Sequence, residues 1–459
     1  MKFDQFVGTS DILRSVVGGV ARTVNLYLEP GSSKSPLGFY LCPGLSLFTT
    51  LGDSPVRVLH EVNGRVFAIA GSNLYEIASN GTVTDRGDVL GTGNASMAPS
   101  HTQLIIAAGN NLYCYTLGTN TLTPVETPTA AWVTFCDGYF VACEPDTQKV
   151  WISASYDGES WNALDFASSE GDPDHLVQVL TDHRELIAIG TKTIQPYYNS
   201  GAPDFPFEPI QGSMMELGGI AGTFAKLDNS WFWVHEDDKG YGQVWRAEGY
   251  RPVRVSDTAV EYALQSLSDL GSAYAWAYQE HGHLYYLITT PTAISTWCYD
   301  VLTGLWHERA YWTGSAYQRH RGRCYCRAFG KHLVGDHTNG KVYELSTSYT
   351  SDAGDSIRFL RTAPHLHNEN KRMFYSRLEL HMETGATDPT TIYMRWSNDS
   401  GRNYSTAVST TTGASGATST RVYWNRLGSG RDRVFEVYGL AAGRVGIFGA
   451  SLDLEPGQH

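Results

Sequence analysis

One repeated plan constrains the fold of this chain more than any other feature of its sequence. Each copy has a polar turn, an apolar run that alternates with a period of two, a second turn, and a further run containing Tyr or Trp. The copies begin at Asn63, His101, Cys136, His183, Asp228, Glu280 and Phe329. Their spacing of about 35 to 52 residues is typical of four-stranded propeller blades, which bury their apolar faces only against one another.

The repeats predict an all-β fold in which residues 61–350 form a β-propeller of six or seven blades. Asn-Gly pairs at Asn63, Asn80 and Asn339 favour tight hairpins between strands. Residues 1–60 have no complete repeat, and we expect this segment to supply a strand that closes the propeller. A short amphipathic stretch at residues 257–269, with Asp257 as N-cap, predicts one helix.

The pattern changes at about residue 351. Longer alternating runs such as "RMFYSRLELHMET" and "TRVYWNRLGSGRDRVFEVYGL" follow at a spacing typical of β-sandwiches. We therefore predict a β-sandwich over residues 351–459.

Residues 198–226, "YNSGAPDFPFEPIQGSMMELGGIAGTFAK", interrupt the repeats with an apolar segment rich in Pro and Gly. The segment has no clear period, and connections in compact domains are usually about 4–6 residues long. It is too apolar for a disordered linker. We expect an insertion that another surface must cover.

Charge is distributed unevenly along the chain. The net charge is −13, and residues 351–459 hold 12 Lys and Arg against 11 Asp and Glu, which leaves 22 against 36 in residues 1–350. A general nucleic-acid binder needs a basic footprint, so the acidic propeller argues against that class of protein. The densest basic run contains Arg319, Arg321 and Arg323, which we interpret as a candidate electrostatic contact with nucleic acid or an acidic partner. The alternative is a solvated loop between blades.

No motif indicates catalysis. The sequence lacks the glycine-rich phosphate loops, the nucleophile elbow and the zinc-protease helix, and its His-x-His and Cys-x-Cys pairs have no partners at zinc spacing. We expect no enzyme activity, no metal and no cofactor. Ser397, Asp399, Gly401 and Tyr404 fit the Asp-box pattern S-x-D-x-G-x-x-aromatic, which we interpret as a structural hairpin turn and not as a sialidase signature.

The sequence also predicts where the chain is made. Its seven cysteines are an odd number at irregular spacing, which does not indicate a disulfide framework. The first residues are not those of a signal peptide, and apolar runs are far shorter than the ~20 residues of a membrane-spanning helix. We expect synthesis in the cytoplasm and no membrane span.

Several stretches together resemble the packaged-DNA stabilisation, or tail nozzle, proteins of short-tailed bacteriophages. They are the 198–226 segment, residues 358–385, "RWSNDSGRNYS", "TRVYWNRLGSGRDRVFEVYGL" with "VGIFGASLDLE", and "GFYLCPGL". Their order and spacing along the chain carry the resemblance.

The resemblance implies a virion tail protein that assembles as a homo-hexameric ring below the portal and its adaptor ring. Such a ring narrows the DNA channel, retains packaged double-stranded DNA without sequence-specific binding, docks a tail needle or tip, and lies near the tailspikes. The chain would be made in the host bacterial cytoplasm, and residues 1–60 would close the propeller or contact the adaptor. Inter-subunit or ring contacts are then expected at Phe205, Phe207, Ile210, Met214 and Met215.

Two other interpretations remain. A propeller-based carbohydrate-binding or glycan-degrading phage tail protein predicts a pocket rich in Trp and Tyr with convergent carboxylates. A general interaction scaffold of the WD-repeat type is disfavoured because the repeated Trp-Asp and Gly-His signals are missing.

Overall fold

Strands dominate the computed structural model, which describes residues 1–31, 36–168, 174–203 and 205–457. In this part of the chain the helices are Thr258–Gln265 and the 3-10 turn Leu270–Ser272. The α-helix is the predicted one, and Asp257 caps it by accepting a hydrogen bond from the Val260 backbone N–H at 2.9 Å. The all-β prediction is confirmed.

Seven blades, each built on four antiparallel strands, follow one another in the described residues. In each blade the strands lie in the following order from the axis outward. Blade 1 contains Val56–Val62, Arg65–Ala70, Asn73–Ile77 and Val83–Asp88, and blade 2 contains Ala95–Pro99, Gln103–Ala108, Asn111–Thr116 and Thr121–Val125. Blade 3 contains Trp132–Cys136, Tyr139–Cys143, Lys149–Ala154 and Asp157–Ser168. Blade 4 contains Leu176–Asp182, Glu185–Gly190, Ile194–Asn199 and Phe207–Pro209. Blade 5 contains Ala225–Leu227, Ser230–Glu236, Gly242–Glu248 and Arg251–Arg254. Blade 6 contains Tyr274–Glu280, His283–Thr289, Thr296–Asp300 and Leu305–Trp312. Blade 7 contains Gly322–Ala328, Lys331–Asp336, Lys341–Ser346 and Gly44–Thr50.

The last blade is completed from the other end of the propeller sequence. Strand Gly44–Thr50 pairs antiparallel with Lys341–Ser346, and the chain then enters the first strand of blade 1. Leu45 on this strand is 2 % exposed, and Leu51 just beyond it packs into the apolar core between blades 7 and 1. This pairing closes the ring, because the first and last blades are tied by one continuous segment. Two short strands, Ser351–Asp352 and Asp355–Ser356, extend the same sheet.

A two-sheet sandwich follows the propeller, as predicted. One sheet contains Val20–Val24, Arg358–Thr362, Asp432–Leu440, Thr391–Ser397 and Val408–Thr411. The other contains Leu26–Pro30, Leu37–Leu41, Gly446–Pro456, Met373–Met382 and Val422–Asn425. Short strands at the margins of the sandwich are Asp11–Ile12, Leu366–His367 and Ser429–Gly430. A further short strand, Tyr317–Arg319, pairs with the last strand of blade 6.

The first 41 residues belong to the sandwich by their packing. Phe6 and Phe39 are fully buried in the same core as Phe359 and Phe435. The buried guanidinium of Arg361 donates to the backbone carbonyls of residues 5, 6, 8 and 9 at 2.7–3.3 Å. The propeller is therefore inserted between two parts of the sandwich sequence.

Asn25 joins the two domains at this point. Its backbone adopts φ 56°, a left-handed conformation that Asn tolerates better than most residues. Its side-chain amide donates to the carbonyls of Ala310 in blade 6 and Arg358 in the sandwich, and its carbonyl oxygen accepts from the Ala310 N–H, each at 2.8 Å. One buried side chain thus connects a blade to the sandwich.

No helix in the described ranges is long and apolar enough to cross a bilayer.

Candidate functional site: the propeller channel

The first strands of the blades converge on a central channel. These strands begin at the same end of the propeller, so the residues at their starts gather at one mouth of the channel. A cavity of about 250 Å³ lies there, lined by residues from six blades and by the loops that precede them. Its wall includes Trp132, Phe224, Tyr274, Trp276 and Tyr325, so that aromatic rings form much of the surface.

Three cations line this mouth, and no Asp or Glu is among its lining residues. Arg57 is 7 % exposed and donates to the backbone carbonyls of Gly71, Gly91, Gly93 and Asn94 at 3.0–3.3 Å. Burial, together with the charge of Arg323, lowers the pKa of the Arg57 guanidinium. Lys226, the third cation, lies 3.6 Å from Asp182. The channel mouth is thus positively charged within an acidic propeller.

The predicted Arg run does not form a single patch. Arg319 donates to the Tyr274 hydroxyl at 2.9 Å and also contacts His337. Arg321 lies 3.9 Å over the Tyr311 ring and pairs with Asp355 at 2.6 Å. Arg319 and Arg321 thus both have polar partners within their own chain, although the buried Nε of Arg321 donates to none of the described residues.

Arg323 alone of the three reaches the channel. Its Nη2 donates to the Gly93 carbonyl at 3.2 Å and to the Asn94 side-chain oxygen at 3.1 Å. Arg319 ends the strand Tyr317–Arg319, which pairs with the last strand of blade 6, whereas Arg323 lies on Gly322–Ala328, the first strand of blade 7. Sequence reasoning missed Arg57, Asn94 and Trp276; the available signal was their position at or just before the start of a blade's first strand.

The 198–226 segment is more regular than expected. Phe207–Pro209 forms the outer strand of blade 4, and Met215 pairs with Ile194 through backbone hydrogen bonds at 2.9 and 3.0 Å. Phe207 and Met215 are each 3 % exposed, because blade 3, blade 5 and their own blade cover them. The expectation that these two side chains meet another subunit is wrong for this conformation. Phe205 and Ile210 are partly buried, and Met214 is 38 % exposed.

Ser397, Asp399 and Gly401 form a tight turn in the sandwich. The Ser397 hydroxyl donates to the Asp399 carboxylate at 2.6 Å and accepts from the Gly401 N–H at 2.9 Å. Asp399 also accepts from the backbone and side chain of Asn403, and with the Ser397 bond these contacts lower the pKa of Asp399 to about 2. Gly401 has φ 82°, and the ring of Tyr404 packs under the Arg395 guanidinium at 4.4 Å. Every strong polar group of this turn is engaged locally.

One histidine of each His-x-His pair is bonded to a carboxylate of the chain. His283 bonds Asp300 at 2.8 Å in the blade 6 interior, and His365 bonds Asp432 at 2.8 Å. In the ranges that the structure describes, no group of three His, Cys, Asp or Glu residues has an arrangement that could hold a metal ion.

A second cavity, of about 410 Å³, lies between the propeller and the sandwich. Its wall includes the stacked rings of Tyr27 and Tyr40, 5.9 Å apart, and the carboxylates of Glu29 and Glu383. Arg444 faces the same space. Tyrosines and carboxylates therefore converge in this interdomain cleft.

Comparison with solved structures returns matches at very low sequence identity. The chain matches the WD40 domain of Neurospora crassa Pan2 at 8 % identity and a TM-score of 0.44, over 70 % of this chain and 98 % of that one. It matches the PorZ protein of Porphyromonas gingivalis at 11 % and 0.41, over 72 % of this chain and 44 % of PorZ. The extracellular domain of BT4673 from B. thetaiotaomicron matches at 10 % identity and a TM-score of 0.46, over 80 % of this chain and 47 % of that one. None of these likenesses bears on function, and no curated protein matches the sequence.

Comparison of the sequence with models of protein families identifies the family of this chain. The β-propeller of bacteriophage P22 Gp10 matches residues 21–350, and the β-sandwich of the same family matches residues 358–455. The two matches occur in the same order as the two domains of the structure and together cover most of the chain. The chain therefore belongs to the bacteriophage P22 Gp10 family of phage structural proteins.

Proposed function

We propose that this chain forms the tail nozzle ring of a short-tailed phage. Six copies surround the DNA channel below the portal and adaptor ring, retain the packaged DNA until ejection, and dock the tail needle or tip beside the tailspikes. The observation that carries the proposal is the family match through both domains. The protein acts as a structural component of the virion tail without enzymatic activity, after synthesis in the host cytoplasm.

The dimensions of the propeller support a conduit between subunits. A mouth of about 250 Å³ walled by aromatic rings has no room for a DNA duplex. The duplex would pass through the centre of the ring of copies, along their outer surfaces. The acidic balance of residues 1–350, 22 basic against 36 acidic residues, favours passage over binding because like charges repel.

Contacts between copies are proposed at the exposed part of the 198–226 segment. Met214 is 38 % exposed, and Phe205 and Ile210 are partly buried beside it in sequence. Burial of such a thioether by a neighbour would stabilise the ring by about 1–2 kcal/mol per copy. Residues 1–60 are proposed to contact the adaptor through the part of their surface that the sandwich leaves open.

Cryo-electron microscopy of the purified chain mixed with the portal–adaptor complex of its own phage tests this function. We expect six-fold rings on the adaptor and fewer of them with Met214→Asp, whereas Leu302→Asp, on an exposed turn of blade 6, serves as a matched control. Chains that stay monomeric and ignore the adaptor would contradict the proposal.

The interdomain cleft favours one alternative, a glycan-binding tail protein. Stacked Tyr27 and Tyr40 offer a flat apolar surface, and Glu29 and Glu383 offer acceptors for sugar hydroxyls. A glycan array probed with the wild-type chain and with Tyr40→Ala distinguishes the two functions. Binding lost in the variant would favour the glycan function, and an array without signal would favour the nozzle.

A further inference from the structure

The channel mouth contains hydrogen-bond donors that have no acceptor. Arg323 uses only its Nη2 in hydrogen bonds to the described residues, so its Nε and Nη1 are left without partners. The Asn94 side chain accepts through Oδ1, while its Nδ2 donates to none of the described residues. Both side chains line the cavity.

Two aromatic residues add further donors to the same wall. Trp276 is 5 % exposed, and its buried indole Nε1 has no hydrogen-bond partner in the described part of the chain. Tyr274 accepts a hydrogen bond from Arg319 and gives its own proton to none of the described groups. Burial raises the pKa of Tyr274 to about 12, so the hydroxyl stays protonated and able to donate. Among these donors the Trp276 Nε1 is a buried polar group without a partner, which is unusual and calls for an explanation.

Two of the three cations at this mouth have no counter-ion among the described residues, whereas Lys226 lies 3.6 Å from Asp182. Arg57 is held by backbone carbonyls alone, and the cavity is lined by no carboxylate that could neutralise Arg57 or Arg323. A buried charge without an opposite charge is costly, and an anion at the mouth would relieve that cost.

The backbone keeps the mouth open. Gly222 lies opposite Asn94 with φ 81°, and a Cβ at this position would come within 2.8 Å of the Asn94 Nδ2. A larger residue at position 222 would therefore press on one of the unpaired donors.

We propose that this end of the propeller channel binds a small oxyanion of the phosphate type. Arg323 supplies a charge-assisted bond, Asn94, Tyr274 and Trp276 supply neutral donors, and Arg57 supplies a second positive charge behind them. Guanidinium groups suit phosphate because their planar array of N–H donors matches its oxygens. The cavity of about 250 Å³ fits a free phosphate or a small phosphate ester with a few waters, and excludes a folded macromolecule.

The test is calorimetric titration of the full chain with sodium phosphate, with sodium chloride at equal ionic strength as the salt control. We expect saturable binding of phosphate that Arg323→Gln weakens by at least ten-fold. Arg327→Gln is the matched control, because Arg327 lies on the same strand, is exposed, and does not line the cavity. It should bind as the wild type does.

A second variant keeps the test decisive if Arg323→Gln folds poorly. Asn94→Asp places a carboxylate at the mouth and should abolish phosphate binding by repulsion, with a circular dichroism spectrum like that of the wild type. Titration with glycerol phosphate and with acetate separates a free phosphate, an ester and a carboxylate as the preferred source of the oxyanion. Heats for chloride equal to those for phosphate, or unchanged phosphate affinity in both Arg323→Gln and Asn94→Asp, would overturn the proposal.

Discussion

Closure of the propeller by strand Gly44–Thr50 leads to a sharp prediction about Leu45. This side chain is 2 % exposed and packs with Val334, Tyr343 and Leu345 of blade 7. Leu→Ala changes at buried sites cost about 2–5 kcal/mol, through lost burial and the remaining cavity. Strand backbone on both sides of Leu45 limits collapse of the cavity, so we expect Leu45→Ala to lower the free energy of unfolding by about 3 kcal/mol. Leu47 lies on the same strand but is 53 % exposed, so Leu47→Ala should lower the free energy of unfolding by less than about 0.5 kcal/mol.

Hydrogen exchange measured by mass spectrometry reports this loss where it occurs. The amides of Lys341–Ser346 pair with the closing strand, so their exchange depends on opening of this edge. A cost of about 3 kcal/mol corresponds to roughly 100-fold faster exchange in that peptide. Peptides from Ala95–Pro99 in blade 2 should keep the wild-type rate. Equal acceleration by Leu45→Ala and Leu47→Ala, or no acceleration by either, would refute the idea that Leu45 fastens the ring.

Three further predictions concern sites outside the channel. Burial raises the pKa of Asp352 to about 7, against the opposing charge of Arg321, so the folded chain holds this proton more tightly than the unfolded chain. Stability should therefore fall as pH rises from about 4 to about 7, and Asp352→Asn should flatten that fall in thermal melts across the same range. Ser397→Ala leaves the Gly401 N–H and the Asp399 carboxylate without a shared partner and should lower the stability of the sandwich by about 1–3 kcal/mol in urea titrations. Thr411→Ala, at an exposed position of an adjoining strand, is a surface control. Met215→Asp buries a carboxylate and should reduce the yield of folded chain, measured by gel filtration, while Met214→Asp at an exposed site should not.

The blades could be predicted from the sequence because each repeat satisfies its own strand pattern. Period-two alternation identifies strands, and Asn-Gly turns such as Asn63–Gly64 set their pairing within one blade. The partners of isolated strands could not be predicted in this way. Residues 20–41 alternate as strands do, yet nothing local indicates that they pair with residues more than three hundred positions later in the sandwich.

The candidate site shows the same limit. Arg319, Arg321 and Arg323 look alike in sequence, but their roles are fixed by Tyr274, Asp355 and Asn94, which come from distant segments. A charge run therefore predicted a contact surface where the fold instead separates the three side chains. Phe207 was misjudged for a related reason, since its cover includes Tyr139 of the preceding blade at a ring distance of 6.0 Å.

Because the propeller is inserted within the sandwich sequence, the ribosome makes the first strands of the sandwich, then the propeller, and then the rest of the sandwich. The strands Leu26–Pro30 and Leu37–Leu41 leave the ribosome early, but their sheet partner Gly446–Pro456 is made only after all seven blades. At about 10 residues per second, the early strands wait for roughly 40 seconds with apolar faces uncovered. The propeller can close during this interval, because its closing strand precedes blade 1. Completion of the sandwich thus follows synthesis of the propeller, and any surface that the sandwich presents to neighbours exists only on molecules whose propeller has already been made.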